Sequence, residues 1–138
     1  MLESDADDTA AAGRAGTAPS GSPSLEISNS LARLHKQFVG RGPTNARTTI
    51  DGNLVVCLLE GGYTVAEQTL TDNDKADLVA AGRLGLQDAM RQAMIAAVEQ
   101  TLGRRVHSFM SANDLERNLQ VEVFVLDGQS VTAALFDE

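Results

Sequence analysis

The chain has 138 residues, 43% of them hydrophobic, with a single cysteine and a formal net charge of -8. That length bounds it to one domain, the lone thiol excludes an internal disulfide, and the acidic balance argues against broad nucleic-acid binding, which needs basic surface against phosphates. Aromatic residues make up 4% and tryptophan is missing, so the core must be aliphatic, and no apolar run approaches the roughly 20 residues of a membrane-spanning helix.

Residues 1–23 are rich in Ala, Gly, Ser, Pro and Asp. Such a segment has too little apolar surface to offset its ordering entropy, so a disordered tail is expected. MLESDADD lacks the basic-then-apolar layout of a secretory signal, which predicts a cytoplasmic protein. A single α+β domain is predicted over 24–128, with 129–138 as a C-terminal tail or a short extra strand.

The first helix is predicted from Ser24 to Val39. Ile27, Leu31, Leu34 and Phe38 recur at helical spacing as one apolar stripe, and Arg33, Lys36 and Gln37 fall outside it. Ser22 or Ser24 caps it, Pro23 suits the first turn, and Gly40 with Gly42-Pro43 ends it. A hairpin follows: Ala46 to Asp51, a Gly52-Asn53 turn, and Leu54 to Glu60. The first strand is polar and suits an edge. The second is uniformly apolar and suits a central position covered on both faces. Cys57 lies within it, as a buried small hydrophobe.

Thr64 with Glu67 has the spacing of a capping box, opening a short helix to Leu70. A long helix is predicted from Asn73 to Leu102. Leu78, Gly82, Gly85, Ala89, Ala93 and Ala96 form a stripe of mostly small residues, predicted to lie close to the sheet or to a second copy of the helix. Met90 and Met94 are core filling. Arg104 to Met110 and Leu119 to Leu126 are the third and fourth strands, joined by a polar loop, Ser111 to Asn118. In the fourth, Val121, Val123 and Val125 alternate with Gln120, Glu122 and Phe124, which predicts one buried and one wetter face. Val131 to Leu135 is a candidate fifth strand. The predicted architecture is an α+β two-layer sandwich: helix, hairpin, long helix, hairpin, with a four-stranded, mainly antiparallel sheet. Its open edge or face invites homodimerisation.

The chemistry-bearing candidate is Arg33 to Ile50, which holds Arg33, Lys36, Arg41 and Arg47 and no acidic residue. Arg41, Gly42, Thr44 and Arg47, with the amides around the helix end, are a candidate site for a small anion, because the guanidinium fork can donate two hydrogen bonds to one oxyanion. The alternative is a solvated helix face with Arg41 satisfying carbonyls. Arg104, Arg105 and His107 form a second basic point, equally accounted for as cations after a helix C-terminus. There is no Cys/His cluster with metal-ligand spacing, no phosphate-loop spacing, and no cofactor is predicted. His107 and Ser108 point to opposite faces of a strand, which disfavours a nucleophile-base pair. No catalytic residue is assigned.

ISNSLARLHKQFVGRGPTNAR, LLEGGYTVAEQTL and GRRVHSFMSANDLERNLQVEVFVLD, three blocks in order from Ile27 to Asp127, resemble the MpsC family, the soluble component of a sodium-translocating, membrane-potential-generating system. Tyr63-Thr64 departs from the Leu-Thr usual there. The resemblance implies a non-enzymatic accessory or regulatory domain, linked to membrane potential or inorganic-carbon transport through an integral-membrane transporter partner, without direct membrane insertion. The alternatives are a small enzyme on an anionic substrate, with Arg41 and Arg47 as clamps and His107 or Glu60 as acid/base, and a purely structural assembly module.

Overall fold

The computed structural model of the chain describes residues 21–128. The tails expected over 1–23 and 129–138, with the candidate fifth strand, lie outside them, apart from Gly21 to Pro23. Here Ser22 is the cap: its Oγ accepts from the Leu25 N–H at 3.2 Å, and Pro23 occupies the first turn of helix α1, Pro23–Val39. Gly40 closes α1 with φ 97°, a left-handed conformation that glycine adopts without a Cβ penalty. Strands β1 (Asn45–Asp51) and β2 (Leu54–Glu60) form the predicted hairpin. Helix α2, Val65–Asp72, begins with the complete Thr64–Glu67 capping box. Helix α3, Ala76–Leu102, ends at Gly103, and β3 (Val106–Asp114) pairs with β4 (Leu119–Leu126).

The sheet runs β1-β2-β4-β3 and every pairing is antiparallel. The two local hairpins therefore meet along β2 and β4, Leu54 opposite Val125 and Glu60 opposite Leu119. Helices α1 and α3 pack on one face: α1 against α3, β1 and β2, and α3 against β3. Between them and the sheet lies the aliphatic core: Ile27 and Leu31 from α1, Val55, Cys57 and Leu59 from β2, Met90, Met94 and Val98 from α3, with Phe109, Phe124 and Leu126. Phe109 and Phe124 meet as a tilted pair with centroids 4.9 Å apart. The α+β two-layer arrangement is as predicted.

Four local expectations are corrected. In α1 the buried stripe is Ile27, Ser28, Leu31 and His35, and Phe38 is exposed. In α3 the buried face is Val79, Arg83, Gln87, Met90, Met94 and Val98. The small-residue stripe faces away from the sheet: Leu78 is 54% exposed, and a Cβ added at Gly82 or Gly85 would meet nothing within 4 Å. Strand β3 runs on to Asp114, through half of the expected loop, because β4 continues to pair with it there. In β4 one face is buried and the other wetter, as expected: Gln120, Glu122, Phe124 and Leu126 face inward and the valines outward.

The fourth correction concerns β2. It is central, as expected, but no described element covers its outer side. Leu54, Val56 and Leu58 lie in register with Val125, Val123 and Val121. Met110 and Ala112 of β3 continue the same face beside Val123 and Val121. Along β1 the outward positions are Asn45, Arg47, Thr49 and Asp51, a polar margin.

Candidate functional site

The basic corner forms where α1 ends against the start of β1. The Arg41 Nη1 donates to the Tyr63 carbonyl at 3.1 Å. Thr44 donates both its backbone N–H, at 2.7 Å, and its hydroxyl, at 3.0 Å, to the Glu60 carbonyl. The Gly40 N–H is taken by the Lys36 carbonyl. Gly42 packs beside α1, where a Cβ would stand 3.5 Å from the Ala32 carbonyl. Arg47 is 63% exposed, with its Nη2 3.9 Å from the Glu60 carboxylate. Asn45 also donates to that carboxylate, at 3.3 Å. Arg33 bonds Ser30 on the outer face of α1. Arg41, Gly42, Thr44 and Arg47 thus share one end of the sheet, with Glu60 among them.

The second basic point is at the other end of β1. Arg104 donates to the carbonyl of Gly52, in the hairpin turn, at 3.1 Å and to that of Asp127 at 2.9 Å. The Arg105 carbonyl accepts from the Asp127 N–H at 2.8 Å. His107 lies 3.3 Å from the Asp127 carboxylate. A seven-residue strand separates the two basic points, roughly 20 Å at about 3.3 Å per residue. The fold does not bring His107 to Arg41 or Arg47.

Between α3 and the sheet lies a buried polar chain that the sequence reading did not single out. Arg83 projects from the inner face of α3. Its Nε and Nη2 hold the two Glu67 oxygens, each at 2.8 Å, and Nη2 also reaches the Gly62 carbonyl at 3.0 Å. Its Nη1 donates to the Gln120 Oε1 at 3.1 Å. Burial alone would raise the Glu67 carboxyl, but the Arg83 hydrogen bonds and the Thr64 backbone N–H outweigh it and hold the group below its usual range. The Arg83 guanidinium also lies over the Tyr63 ring, 5.6 Å from its centroid, and the Tyr63 hydroxyl donates to the Leu115 carbonyl.

From Gln120 the chain turns into the core. The His35 Nδ1 lies 2.9 Å from the Leu31 carbonyl. A carbonyl can only accept, so Nδ1 carries the proton and Nε2 is the acceptor. Burial lowers the His35 pKa, consistent with that neutral ring. The Gln120 Nε2 then donates one hydrogen to the His35 Nε2 at 2.8 Å and the other to the Glu122 carboxyl. The Ser111 hydroxyl donates to the second oxygen of Glu122. Beside them, Gln87 and Asn113 exchange amide hydrogen bonds at 3.3 and 3.1 Å. Glu122 is 0% exposed. Burial pushes its carboxyl up to about 7, against the Ser111 and Gln120 hydrogen bonds that favour the ionised form.

Chemically, this arrangement can hold or release a proton at Glu122, and it fixes α1, α3, β3 and β4 to one another. Ser111 gives its proton to a carboxyl enclosed in the core, which is not the setting of a nucleophile attacking a substrate. Arg83, Asn113, Gln120 and Tyr63 line a small cleft of about 10 Å³, far below the roughly 300–1,000 Å³ of small-molecule sites. The signal that could have found the chain was periodic. Val79, Arg83, Gln87, Met90, Met94 and Val98 keep three-or-four spacing, and Gln120 and Glu122 share strand parity with Phe124 and Leu126.

Among the described residues, no helix is long and apolar enough to cross a membrane. No group of three or more His, Cys, Asp or Glu in them is placed to hold a metal. Two curated proteins of Bacillus subtilis (strain 168) are similar to this chain. One, "Uncharacterized protein YrhF", is 28% identical over 104 residues, 74% of this chain and 85% of that protein. The other, "Uncharacterized protein YbcI", is 29% identical over 116 residues, 72% of this chain and 94% of that protein. No solved structure matches the chain significantly. The family model described as "Na+-translocating membrane potential-generating system (MpsC)" matches residues 20–128, the whole of the described domain, and the chain belongs to the MpsC family.

Proposed function

We propose that the protein is a non-catalytic accessory or regulatory component that works by protein contact, as a homodimer beside an integral-membrane transporter partner of a membrane-potential or inorganic-carbon system. Family membership supports the membrane-system context. The observation that carries the contact role is the division of the surface. The conspicuous buried polar groups, Arg83, Gln120, His35 and Glu122, bond one another within the fold, whereas the outward side of the central strands is apolar and without a described cover. A fold that directs its polar chemistry inward and presents apolar side chains outward is suited to association. Purification of the tagged chain from detergent-solubilised membranes of its own host tests this. One integral-membrane transporter in stoichiometric amount is the expected result. Recovery of the chain without any membrane protein, from membranes shown to contain it, overturns the partner reading.

A small anion at Arg41, Gly42, Thr44 and Arg47 belongs to the same proposal. It would displace Glu60 from Arg47, where the pair is exposed and weakly held at 3.9 Å. Phosphate, bicarbonate and small carboxylates should therefore raise the melting temperature of the wild type, and more so in Glu60→Gln. Equal responses in wild type and the Arg41→Ala/Arg47→Ala double variant would remove the anion from the reading.

A further inference from the structure

We infer that the outer face of the sheet is the seat of self-association, two copies packing sheet against sheet. The inference rests on the dimeric reading above and says where the contact lies. On the central strands the outward positions Leu54, Val56 and Leu58 stand in register with Val125, Val123 and Val121. Met110, 53% exposed, extends the patch onto β3. Both long helices are on the opposite side. Four strands about 4.8 Å apart and roughly 23 Å long give a face of about 440 Å² in projection. Side-chain corrugation raises the accessible area above that projection, toward the roughly 800 Å² per partner of a standard interface. The apolar part, three strands wide, is about 330 Å² in projection, the size of the largest and often functional patch on a monomer.

The occupant is a second copy, for two reasons. The first is coverage. The ten residues after Gly128, QSVTAALFDE, offer Val131, Leu135 and Phe136 as bulky apolar side chains, too few for a four-stranded face. A second sheet about 10 Å away, with its strands within about 30° of the first, covers all of it.

The second reason is charge. The polar margin on β1 carries Arg47 and Asp51 on the same outward side, with Thr49 between them. A two-fold axis in the plane of the interface and across the strands lays β1 over β1 in reverse. Each copy's Arg47 then comes one position from the other's Asp51, within reach of its long side chain. The contact is isologous and the charges match twice. The exposed Arg47–Glu60 pair is weak enough to be exchanged for it.

Sedimentation velocity of the full chain across a concentration series tests this, with circular dichroism melts run on every variant. The wild type is expected to be dimeric. Val123→Lys with Met110→Lys should weaken association at least 100-fold while keeping a cooperative melt. Should that pair fail to fold, Arg47→Glu supplies the test alone, expected to weaken association about tenfold and to be restored by adding Asp51→Arg. A folded face variant that stays fully dimeric, or an Arg47→Glu variant unchanged in affinity, overturns the sheet-face assignment and leaves dimerisation standing. A monomeric wild type overturns dimerisation itself. If a chain ending at Gly128 dimerises where the full chain does not, the C-terminal segment is the occupant and the inference fails.

Discussion

Replacing Glu122 by Gln should remove a pH dependence of stability that the wild type carries. The buried carboxyl titrates near 7, against an ordinary value of 4.5. A pKa raised in the folded state means that the native protein holds the proton more tightly than the unfolded chain. Its contribution is complete below about pH 4.5 and is lost as pH rises through 7. At 1.36 kcal/mol per unit, that is at most about 3 kcal/mol, of which roughly 2–3 kcal/mol is lost between pH 5 and 8. For a domain of this size the equivalent in melting temperature is about 10 °C. His35 acts in the opposite sense: its pKa is lowered by burial, so its contribution is lost as pH falls below the usual histidine range. Comparing wild type with Glu122→Gln at each pH cancels that effect. The amide can still accept from Gln120 and donate to Ser111, so packing is kept. Thermal melts from pH 5 to 8.5 should give curves that coincide near pH 5 and diverge to about 10 °C at pH 8, with the variant the more stable. Parallel curves across the range would refute the assignment of a buried, neutral-range carboxyl.

Three further outcomes follow from the same geometry. Arg83→Met should lower stability by about 3 kcal/mol, because it leaves the Glu67 carboxylate, the Gly62 carbonyl and the Gln120 oxygen without their shared donor; the urea midpoint reads this. Gly82→Ala with Gly85→Ala should raise stability by about 1–2 kcal/mol without changing oligomeric state, since both sit in a helix interior facing open space; a loss of association would show that this stripe is a contact after all. Cys57, its thiol pushed up to about 12 by burial, should react with a thiol reagent at pH 8 only as fast as the protein unfolds; prompt labelling of the native state would contradict its placement in the core.

Most of the elements were legible because each has a local cause. The Ser22 and Thr64 caps, the glycine stops at Gly40 and Gly103 and the two-residue turn at Gly52-Asn53 need only neighbours in sequence. What was misread or left open was which side of an element faces in. In β4 both faces alternate cleanly, one Val121-Val123-Val125 and the other Gln120-Glu122-Phe124-Leu126, and alternation alone does not say which of them is buried. In α3 the buried face contains Arg83 and Gln87, while Leu78 and Leu84, 54% and 62% exposed, lie outward. Arg83 can be buried only because Glu67, Gly62 and Gln120, far away in sequence, converge on it. Partners brought together by tertiary packing leave no local signature. The basic corner was legible as charge, but its bonding depends on Glu60 and Tyr63, which the hairpin returns to it.

The strand order has a consequence for how the chain assembles. Each half, α1 with β1–β2 and α3 with β3–β4, is a helix and a ribbon whose partners are near in sequence; in the sheet the halves join only where β2 meets β4, and in the helical layer α1 packs on α3. Local ribbons form quickly, whereas that central join must close a long loop before any of its contacts contribute. The joining seam is thus the late step in folding, and a chain severed in the turn between α2 and α3, where Asp74 already takes a positive φ of 62°, would yield two complementary pieces able to reassemble along it.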